Sequence, residues 1–285
     1  MEILEIIENQ NFDQERALYG CRRVLIRNCN FAGPADGESA LKECNSIHVT
    51  DCQFHLRYPF WHVTGAEVER ITMTDTCRAA MWYDRDLHVA DSTLGGIKAF
   101  RECDDSSIQR CTIDSREFGW CCRNLKIRNT NLVSEYPFFQ CSGLDIEGLE
   151  MKGKYSFQYC TDTVIRNSYL DTKDAFWHAK NVTVYDSVIK GEYLAWYAEN
   201  LRLVRCKIIG TQPLCYCKSL ILEDCEMEGC DLSFENSETV ATVNGSIDSV
   251  KNPKGGSITA DAIGEIILDQ HQWYDEPCAI TIRAE

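Results

Sequence analysis

Two trios in this chain carry acids and bases in the same order: Lys42-Glu43-Cys44 and Arg101-Glu102-Cys103. A cation beside a carboxylate can split the acid and base roles of proton transfer. Both trios lie near tryptophans, Trp61 and Trp82. Acids next to flat apolar rings suit general acid–base work on a sugar. The acidic candidates extend to Asp36 and Glu38, in Gly33-Pro34-Ala35-Asp36-Gly37-Glu38-Ser39. The candidate catalytic set is thus Asp36, Glu38, Lys42, Glu43, Arg101 and Glu102. The competing reading is a ladder of surface ion pairs, each worth little.

A second set suits binding. Trp61, Trp82, Trp120, Trp177 and Trp196 share one position of a repeat, and Arg57, His62 and Arg78 flank them. If that position faces outward, its rings form a row able to stack on sugars. If it sits at a corner, the rings are a second layer of core, because alternation fails at corners and bulges. The next position holds Glu43, His62, Tyr83, Glu102, Cys121, Gln140, Tyr159, His178, Tyr197, Tyr216 and Glu235. These could line a polar groove or simply be solvated.

Metal chemistry has no support. Cys215-Tyr216-Cys217 and Cys121-Cys122 lack a second pair at zinc-site spacing. No phosphate loop, dinucleotide fingerprint or nucleophile elbow occurs, and no cofactor is expected.

Positioning these residues is the task of the repeat. Eleven segments align on Cys29, Cys52, Ile71, Ser92, Cys111, Thr130, Leu149, Ser168, Ser187, Cys206 and Cys225, and from Ser92 onward the spacing is nineteen without a slip. Two residues after each lies an apolar column running from Phe31 and Phe54 to Ile208 and Met227. Three residues before lies another, from Ile26 and Val49 to Leu203 and Leu222. Apolar residues two apart with polar residues between them have the period of a strand with one buried face. Asp86, Asp105, Asn124, Gly143, Asp162, Asn181 and Asn200 stand six before the register residue and mark a tight corner. Gly96, Gly153, Gly191, Gly210 and Gly229 stand four after it and mark another.

Strand, corner, strand, corner every nineteen residues predicts an all-β fold, a parallel β-helix of about eleven rungs. Helical solenoids have longer repeats and a different apolar spacing. One domain is expected over 1–285: an N-terminal cap over 1–19, regular rungs over 20–235, and irregular C-terminal coils or cap over 236–285.

The seventeen cysteines fall mostly in two columns whose alternates are Ser, Thr or Ala. That marks them as compact buried fillers rather than disulfide partners. So many unpaired thiols fit a reducing space. With an N-terminus lacking a basic region before an apolar run, this predicts a cytoplasmic location. No apolar stretch is long enough to cross a bilayer. The net charge of −15 argues against nucleic acid and polyanionic sugars as partners, because the whole-molecule field repels them.

The repeats, with Ala32–Cys44, Lys154-Tyr155-Ser156-Phe157-Gln158-Tyr159 and Asp174-Ala175-Phe176-Trp177-His178-Ala179-Lys180-Asn181, resemble a bacterial family of uncharacterised proteins, catalogued as a domain of unknown function. The resemblance covers nearly the whole chain. It implies a right-handed, single-stranded β-helix of the pectin-lyase-like type. It brings no catalytic residues: the aspartate cluster of the related hydrolases and the calcium-binding acids of the related lyases have no counterpart here. Two functions follow as expectations. One is a carbohydrate-binding or carbohydrate-processing β-helix, hydrolase-like or lyase-like, with an oligosaccharide or glycan as partner. The other is a non-enzymatic scaffold whose ladder faces bind protein or form a homo-oligomer.

Overall fold

The computed structural model describes residues 3–270 and 277–283. The expected caps therefore lie partly outside the described residues, at 1–2, 271–276 and 284–285. Contacts divide the chain into two compact units, Met1–Asp145 and Ile146–Glu285. Among the described residues there is no helix, and none that could cross a membrane.

In the first unit, strands Val24–Arg27, Asn45–Thr50, Thr64–Glu69, Arg85–Ala90 and Ser107–Gln109 pair in parallel. Their register runs Ile26, Val49, Val68, Val89, Ile108 and on to Ile127. A second ladder aligns Phe31, Phe54, Met73, Leu94, Ile113 and Leu132. The second unit repeats the arrangement, with Ile165, Val184, Leu203 and Leu222 in one column and Leu170, Ile189, Ile208 and Met227 in the other. These are the apolar columns read from the sequence, and all of them are buried. Like side chains lie directly over one another. Phe31 and Phe54 stack with centroids 4.6 Å apart and planes at 4°. Phe157 and Phe176 stack at 4.9 Å and 9°. Each such pair is worth about 0.5–1.5 kcal/mol beyond its buried area.

The rung count of eleven is too low. Residues Glu5–Glu8 and Asn11–Phe12 pair in register with Val24–Arg27 and Asn30–Phe31. Ile7 and Phe12 thus extend the apolar columns, so the expected N-terminal cap contains a regular rung. Its register residue is Gln10, unlike the Cys, Ser, Thr or aliphatic residues that mark the other rungs. Beyond Glu228, strands Glu238–Val243, Ser246–Lys251, Gly255–Ala260, Ala262–Ile267 and Ala279–Ile282 add further coils. Pairing shifts register between Leu222 and Cys225, and the next offset is shorter, Val240 facing Ser257. Those coils are irregular.

The corners are built from left-handed residues. Asp86, Asp105, Asn124, Asp162, Asn181 and Asn200 have φ between 52° and 56°, the conformation Asn and Asp tolerate best. A second left-handed column immediately precedes the register residue: Asn28, Asp51, Arg70, Asp91, Arg110, Asn129, Asn167, Asp186, Arg205 and Asp224. Its polarity reads simply as solvent-facing in the sequence, yet it turns the chain. Its Asp and Arg members pair across rungs, as in Arg110 with Asp91 and Arg205 with Asp186.

These turns explain the Cys, Ser and Thr columns. A left-handed corner leaves a backbone N–H unpaired, and the register side chain of the next rung accepts it. Ser92 Oγ accepts the Ile71 N–H at 3.1 Å and donates to Ala90 O at 2.6 Å. Ser187 does the same for Ser168 and Tyr185, and Cys52 Sγ for Cys29 and Thr50. The columns therefore select small groups that both accept and donate, not fillers alone. None of the seventeen cysteines is in a disulfide. Burial pushes the Cys44 thiol up to about 12, so it stays protonated and able to donate.

Candidate functional site

The third side of each rung carries the tryptophans. In the early rungs it is a short parallel sheet of Phe60–Trp61, Met81–Trp82 and Phe100–Arg101. In the second unit it is a turn: the Cys160 N–H donates to Phe157 O, and the Ala179 N–H to Phe176 O. Phe157 and Phe176 there have φ of 59°, a costly conformation for a bulky residue. In both forms burial falls along three successive positions. Phe176 is buried, Trp177 half-buried and His178 exposed, and Phe60, Trp61 and His62 follow the same order.

The tryptophan column thus points outward, but its ring faces are closed. Trp61 lies on Trp82 at 5.4 Å and 7°, and Trp177 lies on Trp196 at 5.4 Å and 3°. Lys42 Nζ sits 3.8 Å above the Trp61 ring, and the Arg101 guanidinium 5.3 Å from the Trp82 ring. The order Lys42, Trp61, Trp82, Arg101 is one column closed by a cation at each end. Trp120, Trp177 and Trp196 donate Nε1–H to the carbonyls of Tyr136, Tyr193 and Gln212 at 2.6–2.8 Å. For Trp61 and Trp82 what remains for solvent is ring edges, which suit edge contact rather than stacking.

The remaining sequence candidates separate. Arg57 pairs with Asp36 at 3.1 Å and Glu38 at 3.4 Å, pinning the Gly33–Ser39 loop. Arg78 is exposed on the 74–80 insertion. Glu43 is exposed, with φ of 62°. Arg101 and Glu102 form an ion pair. Trp177 and Trp196 belong to the second unit.

Only His62 and Glu102 of these line the principal groove of the first unit, a depression of about 600 Å³. One wall is the column His62, Tyr83, Glu102, Cys121 and Gln140, exposed at His62, Tyr83 and Gln140 and half-buried between. The other is Arg85, Asp104, Arg123 and Ser142. His62 and Tyr83 stack at 5.2 Å and 12°.

Its electrostatics separate three carboxyl groups. Partial burial works against Glu102 ionising, but the Tyr83 hydroxyl and Arg101 outweigh it and hold Glu102 below the ordinary carboxylate range. Tyr83 is correspondingly raised by its hydrogen bond to Glu102. Asp104 is held low by the two-point grip of Arg123, at 2.9 and 2.6 Å, with Arg85 adding to it. Asp84 is the opposite case. It is 2% exposed, and burial raises its pKa well above the usual value, backbone donors only partly opposing. Its Oδ1 accepts the Val63 N–H at 2.7 Å, and its Oδ2 has no partner among the described residues. The groove thus holds two carboxyl groups whose partners favour ionisation over one buried acid whose burial favours the neutral form.

Tyr83, Asp84, Arg85, Asp104, Cys121, Arg123, Gln140 and Ser142 were not singled out as site residues from the sequence. The column containing His62 and Tyr83 had been read as a possible groove wall. Asp84 had a sharper signal. It stands eight before Ser92, where the other rungs carry Cys21, Cys44, Val63, Cys103, Cys122, Cys141, Cys160, Ala179, Ala198 and Cys217. A single charge in a column of buried small residues is an anomaly visible without coordinates. Among the described residues no cluster of His, Cys, Asp and Glu could hold a metal ion.

The profile of a family described as "Protein of unknown function (DUF3737)" matches residues 5–281. No curated protein matches the chain. Among solved structures it is similar to the A-module of the Azotobacter vinelandii mannuronan C-5 epimerase AlgE6, at 10% identity and a TM-score of 0.40, over 98% of this chain and 89% of that one. It is similar to PfbA, a surface adhesin of Streptococcus pneumoniae, at 9% identity and a TM-score of 0.40, over 93% and 81%. It is also similar to HetL, a pentapeptide repeat protein of Nostoc, at 12% identity and a TM-score of 0.29, over 80% and 92%.

Proposed function

The chain belongs to the DUF3737 family of proteins of unknown function, and we propose that its principal groove binds an extended, hydroxyl-rich carbohydrate. The observation that carries this reading is the periodicity of the groove wall. Five successive rungs each present one polar side chain, His62, Tyr83, Glu102, Cys121 and Gln140, about 4.8 Å apart. A linear glycan offers its hydroxyls at a comparable repeat, so each sugar can meet one rung.

The opposite wall adds donors from Arg85 and Arg123 and an acceptor from Asp104. Both signs of charge are present, and the chain carries −15 overall, which favours a neutral glycan over a polyanion. The closed faces of Trp61 and Trp82 direct the contacts to hydroxyls rather than to ring stacking. Any proton transfer on a bound sugar would fall to Glu102 as acceptor and Tyr83 as donor, since the two share a hydrogen bond.

Titration with a panel of neutral linear oligosaccharides, followed by intrinsic fluorescence and calorimetry, tests the reading. Saturable binding is expected, weakened about tenfold in Glu102→Gln and Tyr83→Phe, in line with loss of one charge-assisted hydrogen bond. Absence of binding to every neutral oligosaccharide, or equal binding by both variants, overturns it.

A further inference from the structure

A second constellation lies outside that groove and shares no residue with it. Ser107 Oγ is 2.8 Å from His88 Nδ1, and His88 Nε2 is 3.2 Å from Asp86 Oδ1. From this geometry we propose that Ser107 is the nucleophile of an esterase site acting on short-chain carboxylic esters, with His88 as its general base and Asp86 as the positioning residue.

The tautomer follows from the partners. An aspartate oxygen only accepts, so the tautomer with the proton on Nε2 is the one that suits the 3.2 Å approach of Asp86. Nδ1 is then the free base, and Ser107 donates to it. A serine hydrogen-bonded to an imidazole whose far nitrogen lies beside a carboxylate is the relation that activates a nucleophile, whatever the fold around it.

The repeat builds the site locally. His88 and Ser107 are register partners on the parallel strands Arg85–Ala90 and Ser107–Gln109. Asp86 sits two residues before His88, at a left-handed corner with φ of 56°. The same outward column continues through His48, Glu67, His88, Ser107 and Lys126. Glu67 is thus the charged neighbour of His88 on one side, and Lys126 is the cation next to Ser107 on the other. Lys126 can face negative charge developing on a carbonyl oxygen. His88 and Asp86 also line a depression of about 350 Å³ with Arg23, Ser46, Gly65 and Glu67. Its small size and polar walls suit a short acyl group on a hydrophilic alcohol.

The reaction needs no co-reactant beyond water. Ser107 Oγ bonds to the ester carbonyl carbon as its proton passes to His88 Nδ1, and the carbonyl electron pair moves onto oxygen beside Lys126. Collapse breaks the bond to the alkoxy oxygen, which leaves as the alcohol with the proton from His88. Water then attacks the acyl-serine by the same route, releasing the carboxylic acid and restoring Ser107. The inference stands on this geometry alone and is independent of the carbohydrate reading.

The full chain is treated with a fluorophosphonate probe and mapped by mass spectrometry, and its hydrolysis of p-nitrophenyl acetate is followed in parallel. An adduct on Ser107 is expected, with hydrolysis above the buffer rate. Ser107→Ala should lose both, and His88→Ala should lower the rate at least about a hundredfold. Asp86→Asn should lower kcat while leaving KM near the wild-type value, because the imidazole loses the carboxylate that positions it. All three side chains face outward, so the variants should keep the wild-type circular dichroism and melting curve. A well-folded wild type without an adduct on Ser107 would sink the proposal, as would hydrolysis by Ser107→Ala at the wild-type rate. An Asp86→Asn variant with an unchanged kcat removes Asp86 from it.

Discussion

The backbone N–H of Val63 donates to Oδ1 of Asp84 at 2.7 Å, where corresponding positions on other rungs hold a thiol or a methyl group. Neighbouring cysteines in that column also donate, as Cys103 Sγ does to Arg101 O at 3.2 Å. A carboxyl group accepts and donates at once only when protonated. Asp84 Oδ2 finds no such acceptor among the described residues, so it is burial that favours the neutral form of Asp84.

This fixes a pH dependence. The folded state holds Asp84 above its unfolded value of about 3.9. Its contribution is fully present below that value and is lost as pH rises toward the raised folded pKa, at up to about 1.4 kcal/mol per unit. Asp84→Cys restores the column residue and removes the titration. Urea denaturation should find the variant more stable than wild type at neutral pH, with the gap closing as pH falls toward 4. A gap that widens on acidification contradicts a neutral Asp84.

Lys42 over Trp61, at 3.8 Å, closes the aromatic column at one end. Lys42→Met keeps the aliphatic stem and removes the charge. A loss of about 1 kcal/mol is expected by chemical denaturation, and Lys42→Arg should recover most of it. Equal stability of the methionine variant would show that the ammonium contributes nothing there.

Gly119 has φ of +71°, and a Cβ there would lie 2.8 Å from the Phe138 ring. Gly119→Ala combines backbone strain with a clash. It should cost about 1–3 kcal/mol. Phe138→Leu costs stability by itself, but in a double-mutant cycle it should relieve part of the alanine penalty. Strict additivity would place the strain in the backbone alone.

Arg101 helps to hold Glu102 ionised below the ordinary carboxylate range. Carbohydrate binding that needs the carboxylate should therefore persist as pH falls through that range, and fail only on further acidification. In Arg101→Gln the failure should move to higher pH. Affinity measured across pH 3–7 by calorimetry would show this as a displaced acid limb, and superimposable curves would remove Arg101 from the site.

The sequence by itself determined the parallel β-helix, its apolar columns and its Asn/Asp corners. Each rung meets its neighbours at a constant offset, so the nineteen-residue period is already a contact map. It placed His62 and Glu102 in one column, and it carried at Asp84 a signal that was not used, one charge in a column of small residues. It left the inner and outer faces of the tryptophan segment open, because left-handed corners break the alternation that would assign them. It also passed over the rung at residues 5–12, whose register residue is Gln10. Only the tertiary structure decided that Trp61 and Trp82 turn their faces to each other, that Arg57 is committed to Asp36 and Glu38, and that Asp86, His88 and Ser107 meet. Those outcomes depend on rotamers and left-handed turns, which place side-chain tips to within a hydrogen bond, whereas the period fixes only which Cα atoms are neighbours.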